Sequence, residues 1–113
     1  MRFVNRVCGF VMLALFASAI GANAQDLDKG AAVFAAQKCS LCHALDGKGN
    51  AKGALDEVGS KLKAEEIRQW IVTPAEMAAK VKAERKPAMK AFPNLPKEDL
   101  DALVGFLQSK KKK

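Results

Sequence analysis

Five consecutive residues, Cys39-Ser40-Leu41-Cys42-His43, constrain this chain more than any others. Two cysteines with two residues between them and a histidine immediately after form the attachment signature of c-type haem. The chemistry accounts for the spacing. Each thiol adds across one porphyrin vinyl group, and two intervening residues set the thiols at the separation of the two vinyls. The adjacent histidine then reaches the iron from one face as the proximal axial ligand. The motif therefore calls for one covalent haem c, bound through Cys39 and Cys42 with His43 on the iron. Other readings fit less well. A thioredoxin-like redox pair belongs at a strand-to-helix turn in a βαβ unit, and no β-rich run flanks this motif. A structural zinc site needs four ligands, and Cys39, Cys42 and the single histidine leave it one short.

Residues 1–24 read as a cleaved signal peptide, which directs the chain to the periplasm. Arg2 and Arg6 supply the charged start, Val7 to Ile20 is apolar but short for a bilayer, and Ala22-Asn23-Ala24 is a small-x-small cleavage site. An uncleaved membrane anchor is the competing reading of the same run. Cleavage removes Cys8, so both remaining cysteines go to haem and no disulfide framework is left. It also leaves 89 of the 113 residues: one domain over 25–109 and an expected disordered lysine tail over 110–113. A chain of this size buries only about 60% of its unfolded surface. With one tryptophan and no tyrosine, it gains from an apolar cofactor in its core.

The charge excludes less than it suggests. Nineteen basic residues less Arg2 and Arg6, against 12 acidic ones, leave a net +5, of which Lys110 to Lys113 carry four. The folded body is near +1, so an inference to nucleic acid fails. The local distribution matters more. Lys80, Lys82, Arg85, Lys86, Lys90 and Lys97 face only Glu84 in their stretch. Such a patch steers acidic partners, although a solvated helix face has the same composition.

Along the mature chain the periodicity predicts helices and no strands. Asp26 or Asp28 caps a first helix running to about Cys39, with Leu27, Ala31, Phe34 and Ala35 as its apolar stripe. Gly30 on that stripe marks either a close backbone crossing or simple tolerance near a helix start. Residues 44–63 hold Gly47, Gly49, Gly53 and Gly59 among polar residues and read as a long ordered loop, with Leu45, Leu55 and Val58 as its contacts to haem. Helices follow over about 64–72, ending before Pro74, and then from Pro74 with Met77 and Val81 one turn apart. Pro87 to Pro93 cannot be helical. A last helix runs from about Pro96 or Lys97 to Ser109, burying Leu100, Leu103, Val104 and Leu107.

With one histidine, a second histidine ligand within the chain is ruled out. Cleavage leaves Met77 and Met89. Met77 lies on a helix stripe and reads as a core residue. Met89 lies between two prolines that reduce the entropy lost on fixing the segment, and it is the expected sixth ligand. Histidine–methionine ligation fills both axial positions and favours electron transfer over substrate chemistry.

Taken together, the chain resembles the class I monohaem c-type cytochromes, in their small secreted bacterial branch. The resemblance runs over essentially all of 26–109. It is carried by Gly30 and Phe34, by Cys39-x-x-Cys42-His43, by Val58-Gly59-Ser60-Lys61-Leu62 and by Trp70-Ile71-x-x-Pro74. Met89-x-Ala91-Phe92-Pro93-x-Leu95 and Leu103-x-x-Phe106-Leu107 complete it. It implies an all-α fold in which the first and last helices cross, Gly30 and Phe34 against Leu103 and Phe106, with short helices and loops wrapped around one haem. It implies that the lysine-rich stretch lies near an exposed haem edge. It also makes Trp70 either a hydrogen-bond donor to a haem propionate or a plain core aromatic. One departure stands out. The family usually has proline after the glycine at 53, where this chain has Ala54, in the segment whose backbone carbonyl orients the proximal histidine.

The function so implied is that of a periplasmic single-electron carrier, not an enzyme, working as a monomer. Its partners would be acidic redox proteins: a quinol:cytochrome c reductase, a terminal oxidase, or a periplasmic reductase or dehydrogenase. Two alternatives are a dedicated electron-transfer subunit docked on one such enzyme, and a haem enzyme or sensor with an open sixth position. Contact of the lysine tail with a membrane surface is left open.

Overall fold

The computed structural model describes residues 24–113; the signal segment expected over 1–24 lies outside them apart from Ala24. Five helices follow one another: α1 (Ala24–Ala36), α2 (Val58–Lys61), α3 (Ala64–Val72), α4 (Pro74–Val81) and α5 (Lys97–Gln108). The fold is all-α, as expected. No helix among the described residues is long and apolar enough to cross a membrane.

The frame is the crossing of α1 and α5. A Cβ on Gly30 would collide with the Ala102 carbonyl oxygen and the Phe106 Cβ, so the glycine is there because another backbone passes against it. One turn on, Phe34 meets Phe106 edge to face with ring centroids 6.1 Å apart, a geometry that adds about 1 kcal/mol to the area term. Val33, Phe34, Leu45, Ile67, Ile71, Leu103, Val104 and Leu107 make the buried core, with Leu103 only 2% exposed. Ala102 is buried as well; it is the small residue that lets α1 approach, and the expected stripe omitted it. Leu100 is half-buried.

Two boundaries differ from expectation. The helix α1 is described from Ala24, with Asp26 in its first turn, and it stops at Ala36, short of Cys39. Lys38 then takes a left-handed φ of 58°, and Cys39–Leu41 forms a separate 3-10 turn. The second difference is over 44–63, which is no structureless loop. Strands β1 (Ala44–Leu45) and β2 (Lys48–Gly49) pair antiparallel, Ala44 with Gly49 and Leu45 with Lys48. Both residues of the connecting turn, Asp46 and Gly47, have positive φ, the two-residue hairpin turn that Asp-Gly favours. Leu45 is buried in the core, which fixes the register. A 3-10 turn over Ala51–Gly53 and the single turn of α2 follow.

The helix α3 starts with the Glu66 carboxylate reaching back to accept from the Lys63 N–H at 3.0 Å. Pro74 opens α4, as its fixed φ allows. Met77 is buried, whereas Val81, one turn on, is 58% exposed and not part of a stripe.

Lys110 to Lys112 are hydrogen-bonded to α2. The Lys110 carbonyl accepts from the buried Gly59 N–H at 2.7 Å, the Lys112 N–H donates to Ser60 Oγ at 2.7 Å, and Lys111 Nζ donates to the Gly59 carbonyl at 2.7 Å. Gly59 makes this docking possible, because a Cβ there would strike the Gln108 carbonyl.

Candidate haem site

The attachment motif is held by its own turn and by the hairpin after it. The N–H groups of Cys42 and His43 both donate to the Cys39 carbonyl, at 3.1 and 2.9 Å, which draws the two cysteines onto one turn with His43 beside it. The hairpin returns the chain to this turn: the Asn50 N–H donates to the His43 carbonyl at 3.3 Å. The Asn50 side chain then accepts from the Lys52 N–H at 3.0 Å and starts the 3-10 turn that ends at Gly53.

That turn presents the Gly53 carbonyl to the His43 ring, 2.9 Å from Nδ1. A carbonyl only accepts, so Nδ1 carries the proton and the lone pair lies on Nε2. Burial chiefly holds the His43 pKa below its ordinary value; the bond to Gly53 opposes this, and the Arg85 charge adds to the lowering. The ring is therefore neutral near pH 7, oriented and ready to act as a ligand. The acceptor is thus identified in spite of the change at 54. Ala54 has φ −59° and ψ 131°, which is the backbone that proline would impose.

The two cysteines are free thiols, Cys39 half-buried and Cys42 exposed. Burial raises the Cys39 pKa above that of an ordinary thiol; a bond to its own backbone lowers it, and neighbouring Cys42 raises it. Cys39 packs against the core together with half-buried Leu55, Val58, Leu62, Phe92 and Leu95. Leu55 is tied to the hairpin by its N–H bond to the Ala44 carbonyl at 2.9 Å. Two reduced thiols, one neutral imidazole with an unprotonated Nε2, and a half-exposed apolar fringe are the groups a covalent haem requires. The residues fit that cofactor.

The remaining site residues lie farther along the chain. Trp70 is half-buried on α3, outside the core cluster, and its indole N–H has no hydrogen-bond partner among the described residues. Met89 is half-buried in the non-helical segment between α4 and α5. Among the described residues, no hydrogen bond joins Met89 or Trp70 to the cysteine turn. The link comes instead from Arg85, whose Nη2 donates to the Cys42 carbonyl at 2.7 Å. Its role was invisible in the sequence, where it counted only as one charge of a patch.

Of that patch, Lys80, Lys82, Lys86 and Lys90 are exposed without a carboxylate partner among the described residues, and Lys90 Nζ lies 5.7 Å from the Phe92 ring. Lys97 is committed to Asp101 at 2.8 Å.

Comparison with curated proteins and with solved structures returned no significant match. The family model for Cytochrome c matches residues 27–111, from within α1 through α5 to Lys111. A covalent haem c with its iron is thereby the cofactor, redox proteins are the general class of partner, and haem-based electron transfer is the general function. The chain belongs to the cytochrome c family.

Proposed function

We propose that this protein is a periplasmic single-electron carrier whose haem iron is bound axially by His43 and Met89. The observation that carries the reading is the His43 ring fixed by the Gly53 carbonyl at 2.9 Å with Nε2 unprotonated. When bound, the haem supplies a one-electron iron couple; the chain supplies its attachment, orientation and shielding. Cys39 and Cys42 fix the porphyrin in position, and Gly53 holds the His43 plane and raises its basicity as a ligand. Leu55 and its half-buried neighbours would shield the bound group from water.

Met89 is favoured over Met77 because Met77 is buried within the helix α4, whereas Met89 lies in extended chain with a half-exposed side chain. With both axial positions filled, no position is left for a substrate, so the carrier reading ranks above an enzyme or sensor. Export follows from the signal segment read over 1–24. Lys80, Lys82, Lys86 and Lys90 would receive acidic redox partners in brief, salt-sensitive encounters. Quinol-oxidising reductases, terminal oxidases and periplasmic reductases or dehydrogenases are the partner classes that this surface suits.

The ligand assignment is tested spectroscopically. Met89→Ala is expected to abolish the sulfur-to-iron charge-transfer band of the oxidised protein, and Met77→Ala to keep it. The opposite pattern would overturn the assignment.

A further inference from the structure

The segment that carries Met89 is tied at only two places. Between the Ala83 N–H, which donates to the Ala78 carbonyl, and the Phe92 N–H, which donates to the Ile71 carbonyl at 2.9 Å, no main-chain hydrogen bond holds it. Phe92 and Leu95 also pack on the core, so the C-terminal side of Met89 is anchored on α3. On the N-terminal side the tie is a side chain, Arg85, reaching across 43 positions of sequence to the Cys42 carbonyl at 2.7 Å.

The place where Arg85 lands is shaped for it. A Cβ on Gly53 would meet the Arg85 guanidinium and the Cys42 carbonyl, and would come within 2.9 Å of His43 Nδ1. Gly53 thus does two things: its carbonyl orients His43, and its missing side chain leaves the space the guanidinium occupies. Arg85 forms no ion pair among the described residues, so its bond to Cys42 is not competing with a carboxylate. A lone charge whose function was partner steering would extend into solvent; this one is turned back onto the cofactor-attachment turn.

From this geometry we infer that Arg85 is a latch, joining the Met89 segment to the Cys39–His43 turn and so holding the methionine sulfur in place against competing ligands. The inference rests on the His43/Met89 reading above. Arg85 is a positioning residue: it acts on the iron only through Met89. Removing it leaves the stretch between Ala83 and Phe92 without a tie to the attachment turn, so Met89 leaves the iron more often and an external ligand enters more readily.

The test is imidazole binding to the oxidised, haem-loaded protein, read by loss of the sulfur-to-iron band. A partly exposed, charge-assisted hydrogen bond corresponds to a change of about fivefold in an equilibrium constant. Arg85→Ala is therefore expected to bind imidazole about fivefold more tightly while retaining the band in its absence. Arg85→Lys keeps the charge without the planar fork. Because the charge stays, it is expected to keep the reduction potential at the parent value while still binding imidazole more tightly than the parent does. Parent-like imidazole affinity in both variants, with the band present, overturns the latch and leaves the methionine assignment standing. Absence of the band from the parent protein overturns both.

Discussion

Ala54 takes up the backbone of a residue it is not. Its φ of −59° and ψ of 131° suit proline, and its N–H is not among the main-chain donors of the loop. Gly53 before it has no Cβ to clash with a proline ring. Ala54→Pro should therefore stabilise the folded protein by about 0.5 kcal/mol, by restricting the unfolded chain. The check is a denaturation midpoint that rises with an unchanged denaturant slope; a lower midpoint would mean that the loop relies on alanine. The same few residues show what a sequence displays at this scale. Covalent chemistry fixes which side chains stand at 39, 42 and 43, so the motif was legible. The partner of His43 is a main-chain oxygen, which leaves no side-chain signature, and only the turn that ends at Gly53 reveals it. Arg85 was hidden for a similar reason, since its acceptor is also a carbonyl.

Among the elements, two glycines separate packing from propensity. At Gly30 an added methyl would push α1 off the Ala102 carbonyl and Phe106, while at Gly105 on α5 nothing lies within 4 Å of it. Gly30→Ala should cost about 2 kcal/mol, an overpacking penalty set against the small propensity gain. Gly105→Ala should gain about 0.7 kcal/mol from propensity alone. Paired thermal melts decide this, and equal shifts would refute the crossing as the reason for Gly30. A second tie joins α3 to α5: Asp101 accepts from Lys97 at 2.8 Å and from Arg68 at 2.7 Å. Those bonds, that to Lys97 first, hold the Asp101 carboxyl below the usual range. A depressed carboxylate stabilises the fold above its unfolded pKa and loses that contribution as pH falls through the folded one. The stability difference between the parent and Asp101→Asn should accordingly shrink on acidification below about pH 4, measured as melting temperature against pH. The helices were legible because their apolar stripes repeat with the helical period. The hairpin was not, because its strands are two residues long, although Asp46-Gly47 carried the turn signal.

Over the whole molecule, the positive charge is divided between two places with different work. Lys80, Lys82, Lys86 and Lys90 lie along α4 and the Met89 segment, whereas Lys110 to Lys112 fasten the C-terminus onto α2. Lys110 also covers the Phe106 ring, with Nζ 4.8 Å from its centroid, and approaches Asp46 at 3.6 Å. The tail therefore closes the end of the α1–α5 frame against the one-turn helix and the hairpin. Composition assigned these lysines to solvent because charge is visible in a sequence, while the carbonyl and N–H groups that dock them are not. The two roles separate on deletion of residues 110–113. That deletion strips the buried Gly59 N–H of its acceptor and removes the Lys112 and Lys111 bonds. We expect a loss of about 2 kcal/mol, or roughly 10 °C in Tm for a domain of this length. If partners dock on the α4 side, the same deletion should leave the ionic-strength dependence of electron transfer unchanged, even though it removes four positive charges. Neutralising Lys86 and Lys90 should do the reverse, flattening the salt dependence while the melting temperature holds. An unchanged Tm in the deletion would return the tail to solvent, and a flattened salt profile there would move the docking face to the C-terminal end.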